Sequence, residues 1–142
     1  MQKKFSRFLK SKGLKPTAER LTILEEAMAT DGHFEADDLL VILKQKSRKT
    51  SRATIYRTLE LLALAGLLRR VWFGGAAVHF EKIVDKPRID YMICRDCGNR
   101  FGFHLPELPE LQKKVCSELD FKLLDYNFQI FGLCSMCSRS KR

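Results

Sequence analysis

No apolar run in the 142 residues approaches the ~20 that would carry a helix across a bilayer. The opening MQKKFSRFLK is basic but lacks the apolar core and small-residue cleavage site of a secretory signal, so a cytoplasmic protein with no membrane partner is expected. No internal repeat or low-complexity stretch interrupts the chain. Histidine is scarce: His33, His79 and His104 are the only three, and they are scattered. With no nucleophile–base arrangement and no open metal shell, they are poor material for catalysis, and no enzyme is expected. Also missing is the aromatic stacking platform that RNA-binding modules use.

What is present is a chain 45% hydrophobic and 30% charged, the composition of a folded protein rather than a disordered one. Its length allows one ordinary domain or two small ones. The formal net charge of +9 is unevenly placed. From Lys3 to Arg20 there are seven Lys or Arg against one acid, Glu19, and from Lys44 to Arg57 there are six against none. One such cluster alone could serve only solubility. Two of them suit a polyanion held through phosphate contacts and counterion release.

The pattern up to about residue 82 reads as helices followed by a hairpin. Phe5, Phe8 and Leu9 fall at helical spacing, with Gly13 as a stop. Thr17 reads as the N-cap of a helix with Leu21, Leu24 and Met28 on one face. A third helix is expected from about Ala36 to Gln45, burying Ala36, Leu39, Leu40 and Leu43. Ser51 caps a fourth that turns Ile55, Leu59, Leu62 and Ala63 inward and stops at Gly66. LLRRVWF and AAVHFEK around Gly74-Gly75 then signal a β-hairpin. Helices followed by a two-stranded wing describe a winged helix-turn-helix, whose recognition helix would begin at Ser51. Ser51, Arg52, Thr54, Tyr56 and Arg57 are polar and basic, and spacing sets Arg52, Arg57 and Thr54 or Tyr56 away from the apolar face. Arginine can take guanine bidentately, and the hydroxyl residues can take phosphate or thymine. Arg20, in the basic N-terminal cluster, joins them as a candidate DNA contact.

Composition changes near residues 83–87, where Lys86-Pro87 disfavours helix. The expected division is a DNA-binding domain over 1–82, a hinge over 83–87 and a second domain over 88–142. In the second, Asp90–Cys94 and Asn99–Phe103 read as short strands, Leu108–Leu119 as a helix and Phe121–Leu133 as a long half-buried strand with a pairing edge. Cys94-x2-Cys97 and Cys134-x2-Cys137 supply four thiolates, the closed shell of structural zinc. Two disulfides suit a cytosolic setting poorly, and a redox pair needs only one C-x2-C. Cys116, inside the expected helix, reads as a small core residue.

GLKPTAERLTIL, HFEADDL, SRATIYRTLELLALAGLL, ICRDCG and the final C-x2-C resemble the ferric uptake regulator (Fur) family, from about Gly13 to Cys137. The resemblance implies an α+β protein: an N-terminal winged helix-turn-helix and a C-terminal α/β dimerisation domain with a four-cysteine zinc site. It implies a homodimer that binds a palindromic AT-rich double-stranded operator, usually as a repressor, and gains affinity when a regulatory metal closes it. Tyr56 and Arg57 match recognition-helix residues of the family, and Lys15 matches a lysine that enters the minor groove.

The departures concern regulation. The family's histidine-rich stretch before the first C-x2-C is PRIDYMIC here, so Ile89 and Tyr91 stand where histidines would, and only Asp90 survives. Gly102 replaces a family carboxylate; Pro109 and Tyr126 replace a glutamate and a histidine. His33 and Glu81 do fit family sensory-ligand positions. A rearranged site drawing on His33, Glu81, Asp90 and either His79 or His104 would suit a second divalent ion, Zn(II), Fe(II) or Mn(II). Peroxide sensing by histidine oxidation would need the lost histidines. The competing reading is a zinc-stabilised nucleic-acid or protein interaction module with no metal sensing.

Overall fold

Helices α1 (Gln2–Ser11), α2 (Ala18–Ala29), α3 (Ala36–Gln45) and α4 (Arg52–Leu64) open the chain in a computed structural model that describes residues 1–83 and 87–140. Local chemistry sets their ends. Thr17 Oγ1 accepts from the Arg20 N–H at 3.3 Å, and Ser51 Oγ accepts from the Thr54 N–H at 3.1 Å, each satisfying an otherwise orphaned donor. Gly13 (φ 71°) and Gly66 (φ 74°) adopt the left-handed conformation after α1 and α4. This lets the Leu14 N–H reach the Leu9 carbonyl at 2.8 Å and the Leu67 N–H reach that of Leu62 at 2.9 Å.

The helices close over a core that includes Phe5, Leu9, Leu24, Leu39, Ile55 and Leu59. On α2 the buried line is Ile23, Leu24 and Ala27, with Leu21 and Met28 at its rim, a small rotation from the expected face. On α4 Thr58, not Ala63, joins Ile55, Leu59 and Leu62 inside. Its hydroxyl is satisfied by donating to the Thr54 carbonyl at 2.7 Å, so the burial leaves no orphaned polar group.

Strands β1 (Leu68–Trp72) and β2 (Val78–Lys82) form the antiparallel wing, with Leu68 opposite Lys82 and Trp72 opposite Val78. A single antiparallel bridge adds Phe34 to the outer side of β2: the Phe34 N–H donates to the Phe80 carbonyl at 3.0 Å, and the Phe80 N–H returns the bond at 2.8 Å.

The chain divides into two compact units, Met1–Asp85 and Lys86–Arg142. The hinge expected over 83–87 falls largely on residues 84–86, which lie outside the described residues. The second unit contains β3 (Asp90–Cys94), β4 (Arg100–Phe103), α5 (Leu108–Glu118), β5 (Gln129–Gly132) and α6 (Ser135–Ser140). Its sheet runs β4-β3-β5, with β4 antiparallel and β5 parallel to the central β3. The long strand expected over Phe121–Leu133 is cut to Gln129–Gly132, which pairs with Tyr91–Cys94. Its partner begins only at Asp90, and just upstream Pro87 has no N–H to donate. Alternation over Phe121–Leu133 sets Leu124 on one face with Tyr126, Phe128 and Ile130, yet Leu124 is 82% exposed. No residue of α5 is buried, and Cys116 is half-buried there rather than part of a core. No helix among the described residues is long and apolar enough to cross a membrane.

Candidate metal centre and nucleic-acid interface

Strand pairing brings the cysteines together. Parallel pairing sets Cys94 beside Gly132, so Cys134 arrives against the end of β3. The Cys134 N–H donates to Cys94 Sγ at 3.3 Å, and the Arg95 N–H donates to the Gly132 carbonyl at 2.8 Å. After the first pair the chain turns at Gly98 (φ 74°), whose N–H bonds the Cys94 carbonyl at 2.9 Å. Cys137 follows on α6. All four Sγ atoms lie within 4.8 Å of one another, and no other group of three or more His, Cys, Asp or Glu ligand atoms gathers among the described residues.

This donor set fits zinc. A tetrahedral ion with Zn–S bonds of about 2.3 Å needs sulfurs about 3.8 Å apart; Cys97 and Cys134 stand at 3.9 Å. The backbone N–H of Cys97, then that of Cys134, hold the Cys94 thiol down to about 6, ready as a thiolate. Cys137 is pushed up, chiefly by Cys134, because crowded thiols resist further negative charge until a cation shares it. Four sulfurs fill the tetrahedron, leaving no open position for a substrate. The centre holds structure.

The start of α4 is built to face outward. Ile55, Thr58, Leu59 and Leu62 anchor it, and this fixes Arg52, Tyr56 and Arg57 on the exposed side. Arg52 is forked onto Asp37, with Nε to Oδ1 at 2.8 Å and Nη2 to Oδ2 at 3.0 Å, and lies 5.3 Å from the Tyr56 ring centroid. Of the alternatives Thr54 and Tyr56, it is Tyr56 that faces out; Thr54 is half-buried with its hydroxyl 2.9 Å from Ser51 Oγ. Lys15 is exposed on the loop before α2, and its carbonyl accepts from Arg20 Nη1 at 2.6 Å. Leu14, Arg20, Tyr56, Arg57 and Glu60 line one shallow cleft, so the two basic segments meet at the front of α4. Arg20 thus shapes the loop that carries Lys15.

In the first unit the candidate sensory residues lie in two separate pairs. The Phe34–Phe80 bridge sets residue 33 across from 81 and residue 35 across from 79. Accordingly His33 Nε2 lies 2.6 Å from Glu81, and His79 Nε2 lies 3.1 Å from Glu35. Phe73 stands edge-on between the histidine rings, with centroids 5.1 Å from His33 and 5.0 Å from His79. Burial pushes the Glu81 carboxyl up, but the His33 hydrogen bond and the Arg69 charge outweigh it and hold it below the usual carboxylate range. In the second unit Asp90 is buried against Arg88 at 3.4 Å, and His104 Nδ1 lies 3.0 Å from the Arg88 carbonyl. Glu35, Arg69 and Arg88 did not figure in the sequence reading. The hairpin register about Gly74-Gly75 could have supplied Arg69, which it sets opposite Glu81.

Gly102 and Ile89 belong together. Gly102 lies opposite Tyr91, and a Cβ there would come 2.9 Å from Ile89 Cγ2. Ile89 therefore fills the room a side chain at 102 would need. Gly102→Ala is expected to lower stability by about 1–2 kcal/mol, and a second change, Ile89→Ala, to recover most of it. Denaturant unfolding of the three proteins checks this; an unchanged Gly102→Ala would show that Ile89 yields freely.

A winged helix with an exposed cationic start to its fourth helix, followed by a small α/β unit closed by four thiols, defines a zinc-stabilised DNA-binding regulator. The model of the ferric uptake regulator family matches residues 11–131. The chain is 33% identical over 140 residues to the ferric uptake regulation protein of Campylobacter jejuni, covering 97% of this chain and 88% of that protein. It is 30% identical to the peroxide operon regulator of Bacillus subtilis, covering 94% and 90%. Among solved structures, the ferric uptake regulator of Pseudomonas aeruginosa with manganese superposes with a TM-score of 0.68 at 31% identity, covering 89% of this chain and 95% of that one. The chain belongs to the ferric uptake regulator family of metal-responsive transcriptional regulators.

Proposed function

We propose that this protein binds a palindromic, AT-rich operator in the cytoplasm as a homodimer and represses the adjoining genes. Residues 1–82 act as the DNA-binding domain and residues 88–142 as the dimerisation domain. The observation that carries the reading is the front of α4: Arg52, Tyr56 and Arg57 exposed together, with Arg20 in the same cleft, on a helix whose other face is locked into the core. Arg57 and Arg52 read base edges, Tyr56 and Ser51 take phosphate or thymine, and Lys15 reaches a neighbouring groove.

The partner in dimerisation is a second copy. Met92, Phe101 and Ile130 are register neighbours across the second sheet, and each is 41–45% exposed. Leu111 and Val115 on α5 and Leu119 at its C-cap form a bare apolar stripe, each more than half exposed. A two-fold operator requires a two-fold protein, and these exposed apolar side chains offer a surface to make one. Val115→Glu is expected to weaken the dimer at least about tenfold, read by sedimentation velocity. A dimer of unaltered strength would place the interface elsewhere.

The reading as a whole is tested by selecting duplexes from a random pool and comparing the winning palindrome with its half-site in a gel shift. A sequence-specific complex of dimer stoichiometry is expected. Binding that ignores sequence would favour the zinc-stabilised interaction module.

A further inference from the structure

Glu81 already holds a cation of its own chain. Arg69 lies directly opposite it in the hairpin and donates Nε to Oε1 at 2.6 Å, with Nη2 on the same oxygen. His33 Nε2 takes Oε2 at 2.6 Å. The three side chains are only 13–20% exposed, so water screens them little. A guanidinium and a divalent ion compete for the same lone pairs of a carboxylate. Here the carboxylate has one arginine and one histidine, and within the first unit no third His, Cys, Asp or Glu ligand atom gathers with them among the described residues. By themselves these residues of the first unit do not fit a second metal.

We propose that Arg69 is a resident cation seated on Glu81, and that it sets how much divalent metal is needed to reach His33 and Glu81. Arginine keeps its proton throughout the physiological range, so pH does not vacate the seat. An ion must displace the guanidinium, and the displaced charge must be rehydrated. The second unit repeats the device on its own: Arg88 lies 3.4 Å from the buried Asp90, 3.3 Å from Asp125, and over the Tyr126 ring at 3.6 Å. Each surviving family-type carboxylate is therefore matched with an intrachain arginine. This inference rests on the regulator reading only for its consequence, a raised or abolished metal threshold for DNA binding; the measurement below uses no DNA.

The test titrates Mn(II) into the zinc-loaded full-length protein. It follows paramagnetic broadening of the three histidine ring signals and the rise in Tm that native-state binding produces. Arg69→Ala is expected to bind Mn(II) at least tenfold tighter than the parent, with His33 broadened first. Arg69→Lys, which keeps the charge but loses the fork, should show a smaller gain and serves if the alanine variant folds poorly. Equal Mn(II) affinity in parent and variants would overturn the proposal. So would a gain that leaves His33 sharp. Failure of the regulator reading would appear instead as absent sequence-specific DNA binding, whatever the Mn(II) affinities.

Discussion

Cys97→Ser is expected to leave the protein without stoichiometric zinc and to unfold much of the second unit. The reason lies in how little else holds that unit. Among its described residues only Asp90, Ile93 and Cys94 are buried, and α5 buries none. Units this small seldom stand on a core of that size. The missing stability falls to the metal, whose binding contributes about 10–16 kcal/mol in small zinc domains, and to the second copy proposed to cover the exposed apolar side chains. Cys97 is itself exposed, so a serine there removes almost no packing and isolates the loss of a ligand. Zinc per protomer and far-UV circular dichroism are the readouts, with Cys116→Ser as a control that should keep its zinc. A well-folded, zinc-free Cys97→Ser protein would overturn the structural role of the centre.

Arg57→Ala is expected to weaken binding to the selected operator by about 1–3 kcal/mol, roughly five- to 150-fold, with Tm unchanged. Arg57 is exposed and lies on the side of α4 opposite Ile55 and Leu59, so its removal disturbs no packing. Lys15→Ala serves as the contrast. Loss of a phosphate or minor-groove contact weakens all duplexes more evenly and lowers the salt slope, whereas loss of a base-reading arginine removes discrimination at particular positions. Unaltered operator affinity in Arg57→Ala would remove α4 from the role of reader.

The first unit was largely legible because its signals are local. Thr17, Ser51, Gly13 and Gly66 mark helix ends through hydrogen bonds made within a few residues, and the hairpin register follows from its turn. The two C-x2-C pairs were legible for a similar reason, since spacing alone sets what two thiols can reach. The bridge between Phe34 and Phe80 was not, because it joins residues far apart in the chain. With it went the pairing of His79 with Glu35, which only that bridge creates. The over-long final strand failed differently. Alternation reports which residues would share a face, and says nothing of whether a partner strand extends that far. Tyr126 and Phe128 do turn inward to some degree, Tyr126 toward Arg88 and Phe128 toward Phe103, but without a ladder.

The fork between Arg52 and Asp37 bears on how such a protein would search a chromosome. At the surface the pair is worth at most about 1 kcal/mol, so a guanine edge can draw the arginine away. Once drawn, Asp37 is left as a bare negative charge facing a polyanion. Where a duplex offers no guanine in register, Arg52 would stay on Asp37 and add little to binding, whereas an operator guanine would draw it out and offset the exposure of Asp37. Against millions of competing sites, a carboxylate that keeps the arginine from the wrong encounters is as useful as an arginine that rewards the right one.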